Sequence, residues 1–161
     1  MPSGSSFMPD PRAEARRRSI AQLIRIIVSV DHPDVLNEQK LQVIDTLLWK
    51  FTEADGKHNT PFRTVAALTA PEEELQHEHV FTRKQLKHRI LASTPDDVDS
   101  ILADAIGCLV TVEEHKRLSC LDGLVFGWQR YLQAGIPWKA FYGKPRVLTR
   151  AVDAIPVFLH T

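Results

Sequence analysis

Helix-start signals recur along this chain, and they constrain its fold more than any other feature. Asp10-Pro11 pairs a capping carboxylate with a proline at the first helical position, where its missing N–H costs nothing. Ile20, Leu23, Ile24 and Ile27 follow at helical spacing. Asn37 stands ahead of Leu41, Ile44, Leu47, Leu48 and Phe51, and Asp55-Gly56 closes that helix. Thr82 precedes Leu86, Ile90 and Leu91. Thr94-Pro95-Asp96-Asp97 precedes a stripe of Val98, Ile101, Leu102, Ala105 and Ile106, which Gly107 stops. Thr111-Val112-Glu113-Glu114 is a capping box, in which the hydroxyl and the acid three residues on satisfy each other's backbone donors. It opens a helix carrying His115 and Leu118. A last helix carries Trp128, Tyr131 and Leu132 and ends at Gly135.

Little is left over for strands. Residues 77–81 and 108–111 read as short extended segments, and residues 63–70 as a short helix after a loop at 56–62. The expected fold is therefore mainly α: a helical domain with a minor short two-stranded β element. Residues 1–9 are expected to form a disordered lead and residues 10–161 a single domain. Its tail, from Ile136 through Pro137, Pro145 and Pro156, is expected to wrap the surface as irregular or extended chain.

The 161 residues suffice to bury a core, and 43% apolar with 25% charged residues matches a globular domain. The formal net charge is zero, which argues against a globally basic nucleic-acid binder and leaves only a local surface for that purpose. The start, MPSGSSFMPDP, lacks the apolar core of a signal peptide. The longest apolar run, IIVSV at 26–30, is far short of a membrane span. Cys108 and Cys120 are too few for a disulfide framework. These features together lead to the expectation of a cytoplasmic protein with free thiols and no membrane contact.

The chemistry concentrates in LQHEHVFTRKQLKHR, residues 75–89. On an extended segment, His77 and His79 share one face and Glu78 takes the other. Two neutral imidazoles two residues apart can hold one divalent ion; they are equally ordinary polar residues ahead of a helix. The basic run that follows, Arg83, Lys84, Lys87, His88 and Arg89, can hold phosphates, or it is a solvated helix exterior. Three further patches carry two readings each. Arg16, Arg17 and Arg18 oppose the dipole of their helix and suit an anionic partner or a solvated face. Glu53 and Asp55 beside Gly56 fit part of a calcium loop or, better, a helix end. Trp128, Tyr131, Trp138, Phe141 and Tyr142 can stack bases or seal the core, the second being favoured.

Glu78-His79-Val80, then a helix, then Cys108-Leu109-Val110-Thr111 running into a helix with His115, resembles the ββα-metal arrangement of HNH nucleases over residues 75–120. The resemblance implies a metal-dependent endonuclease with a divalent ion (Mg, Mn or Zn) and DNA or RNA as partner. It implies Glu78 and His115 as metal ligands, with His77 a further candidate, and His79 as the general base that activates water. Arg83, Lys84, Lys87 and Arg89 would hold the nucleic acid. The sequence departs from the family's pattern in lacking a clear middle Asn and zinc-binding cysteine pairs. A degenerate nucleic-acid-binding relative therefore belongs to the same expectation. The competing reading is a non-enzymatic helical interaction or regulatory protein, with a protein partner and structural histidines.

Overall fold

The computed structural model describes residues 7–141; the remainder of the expected lead and the tail beyond residue 141 lie outside the described residues. In chain order the elements are α1 (Ala13–Ser29), α2 (Asn37–Thr52), β1 (Phe62–Thr64), β2 (Leu75–His79), α3 (Arg83–Leu91), α4 (Val98–Leu102), β3 (Gly107–Thr111), α5 (Val112–Ser119), α6 (Trp128–Gln133) and β4 (Trp138–Ala140). The strands form one mixed sheet in the order β2-β3-β1-β4. β2 runs antiparallel to β3, β1 parallel to β3, and β4 antiparallel to β1.

This corrects the expected fold class. The described residues are mixed α/β, with about 52% of them in helix and 12% in strand, and the sheet has four strands instead of two. The expected pairing of two strands is present, but β2 runs two residues earlier than the expected 77–81, and β3 begins one residue before the expected 108. The missed strands, β1 and β4, are three residues each, too short to display an alternating pattern. They form because β3 has a second edge whose backbone groups need partners. Phe62 aligns with Cys108 on that edge, and Ala140 with Phe62 beyond it. The expected helix at 63–70 is thus a strand followed by a single 3-10 turn at Ala66–Leu68. Thr64 makes the change: its hydroxyl accepts from the Ala67 backbone N–H at 3.2 Å and donates to Glu114 Oε2 at 2.6 Å. Gly107, expected to stop a helix, instead begins β3, because α4 has already ended at Leu102.

Two cores result. Ala21, Ile24, Ile44, Leu48, Leu86, Ile90, Val98, Ile101 and Leu102 fill the space between α1, α2, α3 and α4. Phe62, Val80, Cys108, Val110, Leu118, Tyr131 and Ile136 form the second, between the sheet and α5 and α6. Phe81 packs against both. The arginines of α1 are used internally. Arg16 donates to the Ala54 carbonyl at 2.6 Å and pairs with Asp10, and Arg17 pairs with Asp55. They clamp the start of α1 to the end of α2, so Asp55 serves as a structural anion. Cys108 is a buried free thiol and Cys120 an exposed one.

The β3–α5 junction follows the capping-box reading closely. The Glu114 N–H donates to Thr111 Oγ1 at 3.2 Å, and the Thr111 N–H donates to Glu114 Oε2 at 3.0 Å. Because Oε2 also accepts from buried Thr64, the same carboxylate fastens β1 to α5. Thr111→Ala is expected to cost about 0.5–2 kcal/mol for the lost cap. Glu114→Ala is expected to cost more, because it also strands the Thr64 hydroxyl, at roughly 1–3 kcal/mol for an unsatisfied buried group. Urea denaturation of both variants measures this; equal costs would show that the Thr64 bond contributes nothing.

Candidate functional site

Strand β2 divides the candidate residues between its two faces. Alternation sends His77 and His79 toward α2 and Glu78 toward α5 and α6. On the first face both imidazoles meet a single hydroxyl: His77 Nε2 and His79 Nε2 each lie 3.0 Å from Thr52 Oγ1. That oxygen is also 3.1 Å from the Trp49 carbonyl. A hydroxyl has one proton to give, so with three such neighbours at least one imidazole donates to it. The Trp49 ring packs against both histidines, with centroids 5.6 and 5.3 Å away, and the Arg83 guanidinium carbon lies over the Trp49 ring at 4.8 Å from its centroid.

Burial sets the charge state of this pair. His77 is pushed down to about 4, by burial first and then by His58 and Arg83. His79 is pushed down to about 3, by burial, then by His77 and Arg83, against a backbone hydrogen bond to Leu48 that favours its charged form. Both rings are therefore neutral near pH 7. Gly107 makes room for His77: a Cβ there would lie 2.5 Å from its Cε1 and 2.7 Å from its Nε2.

The second face carries a charge network. Glu78 Oε2 accepts from His115 Nδ1 at 2.5 Å, and Glu78 Oε1 accepts from Arg130 Nη2 at 3.2 Å. The same Nη2 donates to Asp122 Oδ1 at 2.6 Å. Arg130 Nη1 donates to the carbonyls of His79 and Val80, each at 3.1 Å. Arg130 is 1% exposed. Its position follows from local sequence: Gly127, at φ 60°, turns the chain into α6, and a Cβ there would meet the Phe81 ring at 2.5 Å.

The structure thus brings Glu78 and His115 into contact, as the HNH-like reading needs of two metal ligands. It places His77 and His79 on the opposite face of the strand. The residues on the Glu78 face do not fit a divalent ion as they stand. Both carboxylate oxygens of Glu78 are engaged, and a guanidinium already supplies positive charge beside it. Among the described residues, no group of three or more His, Cys, Asp and Glu side chains is arranged to hold a metal ion. The charge of the basic helix α3 is partly offset from within the fold. Arg83 and Lys87 both pair with Asp45, at 2.5 and 3.3 Å, and Arg89 pairs with Asp104 at 2.7 Å, leaving Lys84 and His88 as its exposed remainder. No helix among the described residues is long and apolar enough to cross a membrane.

Sequence reasoning missed Thr52, Asp122 and Arg130. The one available signal was Arg130 itself, a lone cation next to Tyr131 in a short aromatic helix. Comparison with protein-family models, curated proteins and solved structures finds no match to this chain.

The imidazole pair predicts an acid-sensitive fold. In the unfolded chain both rings take up a proton near the ordinary imidazole value of 6.5, but in the folded chain only near about 4 and about 3. Protonation therefore favours unfolding as the pH falls below about 6.5. Their contribution is intact above that value and is lost on acidification, by roughly 4 kcal/mol for the pair between about pH 7 and about pH 5. Urea titrations across this range should show the loss in the wild type and a flatter profile in a His77→Gln, His79→Gln variant. An unchanged profile would assign the acid limb to other groups.

Proposed function

We propose that this protein is a non-enzymatic interaction module in which the HNH-like strand, strand and helix survive as a scaffold. The observation that carries the reading is the buried Arg130 guanidinium bonded to Glu78, the carboxylate that would otherwise be a metal ligand. Glu78 is then a structural anion, and His115 holds its second oxygen. His79 supports the same reading. A general base works best with a pKa near the operating pH and within reach of water, whereas His79 is 5% exposed and depressed to about 3. The internal pairing of Arg83, Lys87 and Arg89 weakens the case for a phosphate-binding face. It supports a protein partner over a nucleic acid, as do Leu23, Ile26, Leu36 and Val43, which remain exposed on α1 and α2 and the turn between them.

Two assays test this. Wild-type protein incubated with supercoiled plasmid and Mg²⁺ or Mn²⁺ is expected to leave the plasmid intact. Fluorescence anisotropy with single- and double-stranded DNA at low salt is expected to show no salt-dependent binding. Metal-dependent nicking that disappears in His79→Ala would restore the nuclease reading. Tight DNA binding lost on Lys84→Glu would identify a nucleic-acid partner instead.

A further inference from the structure

We propose that α1 is a self-association helix: two copies of this chain pair their exposed α1 faces antiparallel about a two-fold axis. The inference rests on the interaction-module reading and deepens it by naming the partner. α1 turns Ala13, Ala21 and Ile24 inward. Its opposite face, made of Ala15, Ser19, Gln22, Leu23 and Ile26, follows helical spacing and is exposed along its whole length. Leu23 is 48% exposed and Ile26 52%, and Leu36, in the connection to α2, is 58% exposed. A single exposed apolar residue needs no explanation. A stripe graded along one helix, small at one end and large at the other, does.

Size and charge both select a second copy, and both select the antiparallel orientation. The N-terminal half of the stripe carries small Ala15 and Ser19, and the C-terminal half carries large Leu23 and Ile26. Antiparallel pairing centred between Gln22 and Leu23 sets Ser19 against Ile26 of the second copy, so small side chains meet large ones and the surfaces interdigitate. Parallel pairing would press large on large and leave a gap between the small ones. The charges are arranged the same way. Arg12, one turn ahead of Ala15 on the same stripe, has a side chain 78% exposed and meets Asp10 only at 4.0 Å. Beyond the other end of α1 stand exposed Asp31 and Asp34, the Asp34 side chain being 89% exposed. In the antiparallel register Arg12 reaches this acidic turn of the second copy, and the two-fold axis makes the contact twice. Opposed helix dipoles favour the same orientation. Parallel pairing would stack arginine on arginine and acid on acid.

Sedimentation velocity of the full chain across about 1–500 µM is expected to show monomer giving way to dimer, because one helix face and its turn make an interface at the small end of the stable range. Ile26→Glu is expected to stay monomeric throughout and to keep the circular dichroism spectrum of the wild type. Ser19→Arg, a second change on the same face, should do the same and guards against a folding defect in the first. Arg12→Asp, and separately Asp31→Arg with Asp34→Arg, should each weaken dimerisation about tenfold or more, since like charges then meet at both ends. Mixed in equal amounts, these two charge variants should pair with each other at about the wild-type affinity, read by energy transfer between dyes on the two chains. Wild-type protein that is monomeric to about 500 µM overturns the proposal, as does a dimer that both Ile26→Glu and Ser19→Arg leave intact. Charge variants that fail to recover on mixing overturn the antiparallel pairing. The plasmid assay separates this proposal from the reading beneath it. A monomer that leaves plasmid intact removes self-association and keeps the non-enzymatic reading; a dimer that nicks plasmid keeps the α1 pairing and overturns that reading.

Discussion

The guanidinium of Arg130 is the interaction on which the arrangement of the second core depends. It joins the end of β2, the turn after α5, and α6, three segments that share no backbone ladder. Each of its two terminal nitrogens is used twice. A buried ion pair of this kind is a poor source of net stability, since an apolar replacement of the whole pair is often as stable. Its strength lies in what its loss does. Removing one partner leaves a charge unpaired in the interior, at a cost of roughly 3–5 kcal/mol. Arrangements of the chain that bring β2 to α5 without α6 are disfavoured by that amount. In this sense Arg130 selects among packings more than it adds to the stability of the chosen one.

The second constraint is the period of β2. A slip of one residue would turn Glu78 toward Trp49 and the two histidines toward Arg130, placing imidazoles beside a buried cation and a carboxylate beside a tryptophan. Register is held from both sides. Gly107 admits the His77 ring only where the two strands lie as they do. The Thr52 hydroxyl accepts two imidazoles only if they are two residues apart on one face. The packing of α2 on the sheet and the pairing of β2 with β3 are therefore consequences of the same three residues, His77, His79 and Thr52. The histidine pair that looked most like chemistry in the sequence is thus tied into the packing of the fold through its Nε2 atoms, while the buried Nδ1 of His77 has no hydrogen-bond partner.

What was legible in the sequence was local. Thr82 caps α3, its hydroxyl accepting from the Gln85 N–H at 3.3 Å, and the Thr111–Glu114 box caps α5. Caps act over a single turn, so sequence spacing is enough to find them. The β2–β3 pair was legible because both strands are five residues long and one is continuously apolar. What was not legible depends on distant partners. β1 and β4 exist because β3 has an edge to fill. Asn37 looked like a cap, but it is the first residue of α2, with Leu36 before it in extended conformation and no side-chain bond at that end. Nothing in the local sequence marks Asp45, Asp104 or Asp122; only the fold brings the first two to the cations of α3 and the third to Arg130.

The three candidate histidines, His77, His79 and His115, differ most in what surrounds them, and that difference bears on what chemistry the segment can carry. An imidazole takes a proton from water usefully only if it is basic enough to hold that proton and exposed enough to meet the water. Burial takes both properties from His77 and His79 together, because desolvation lowers the pKa and closes the ring to solvent in one step. His115 keeps its access: 40% of its side chain is exposed at the mouth of α5. Its Nδ1 is committed to Glu78, so only the other ring nitrogen faces outward. The carboxylate beside it shares the single charge of Arg130 with Asp122, so the ring of His115 borders an anion that is tied on both oxygens and only partly offset.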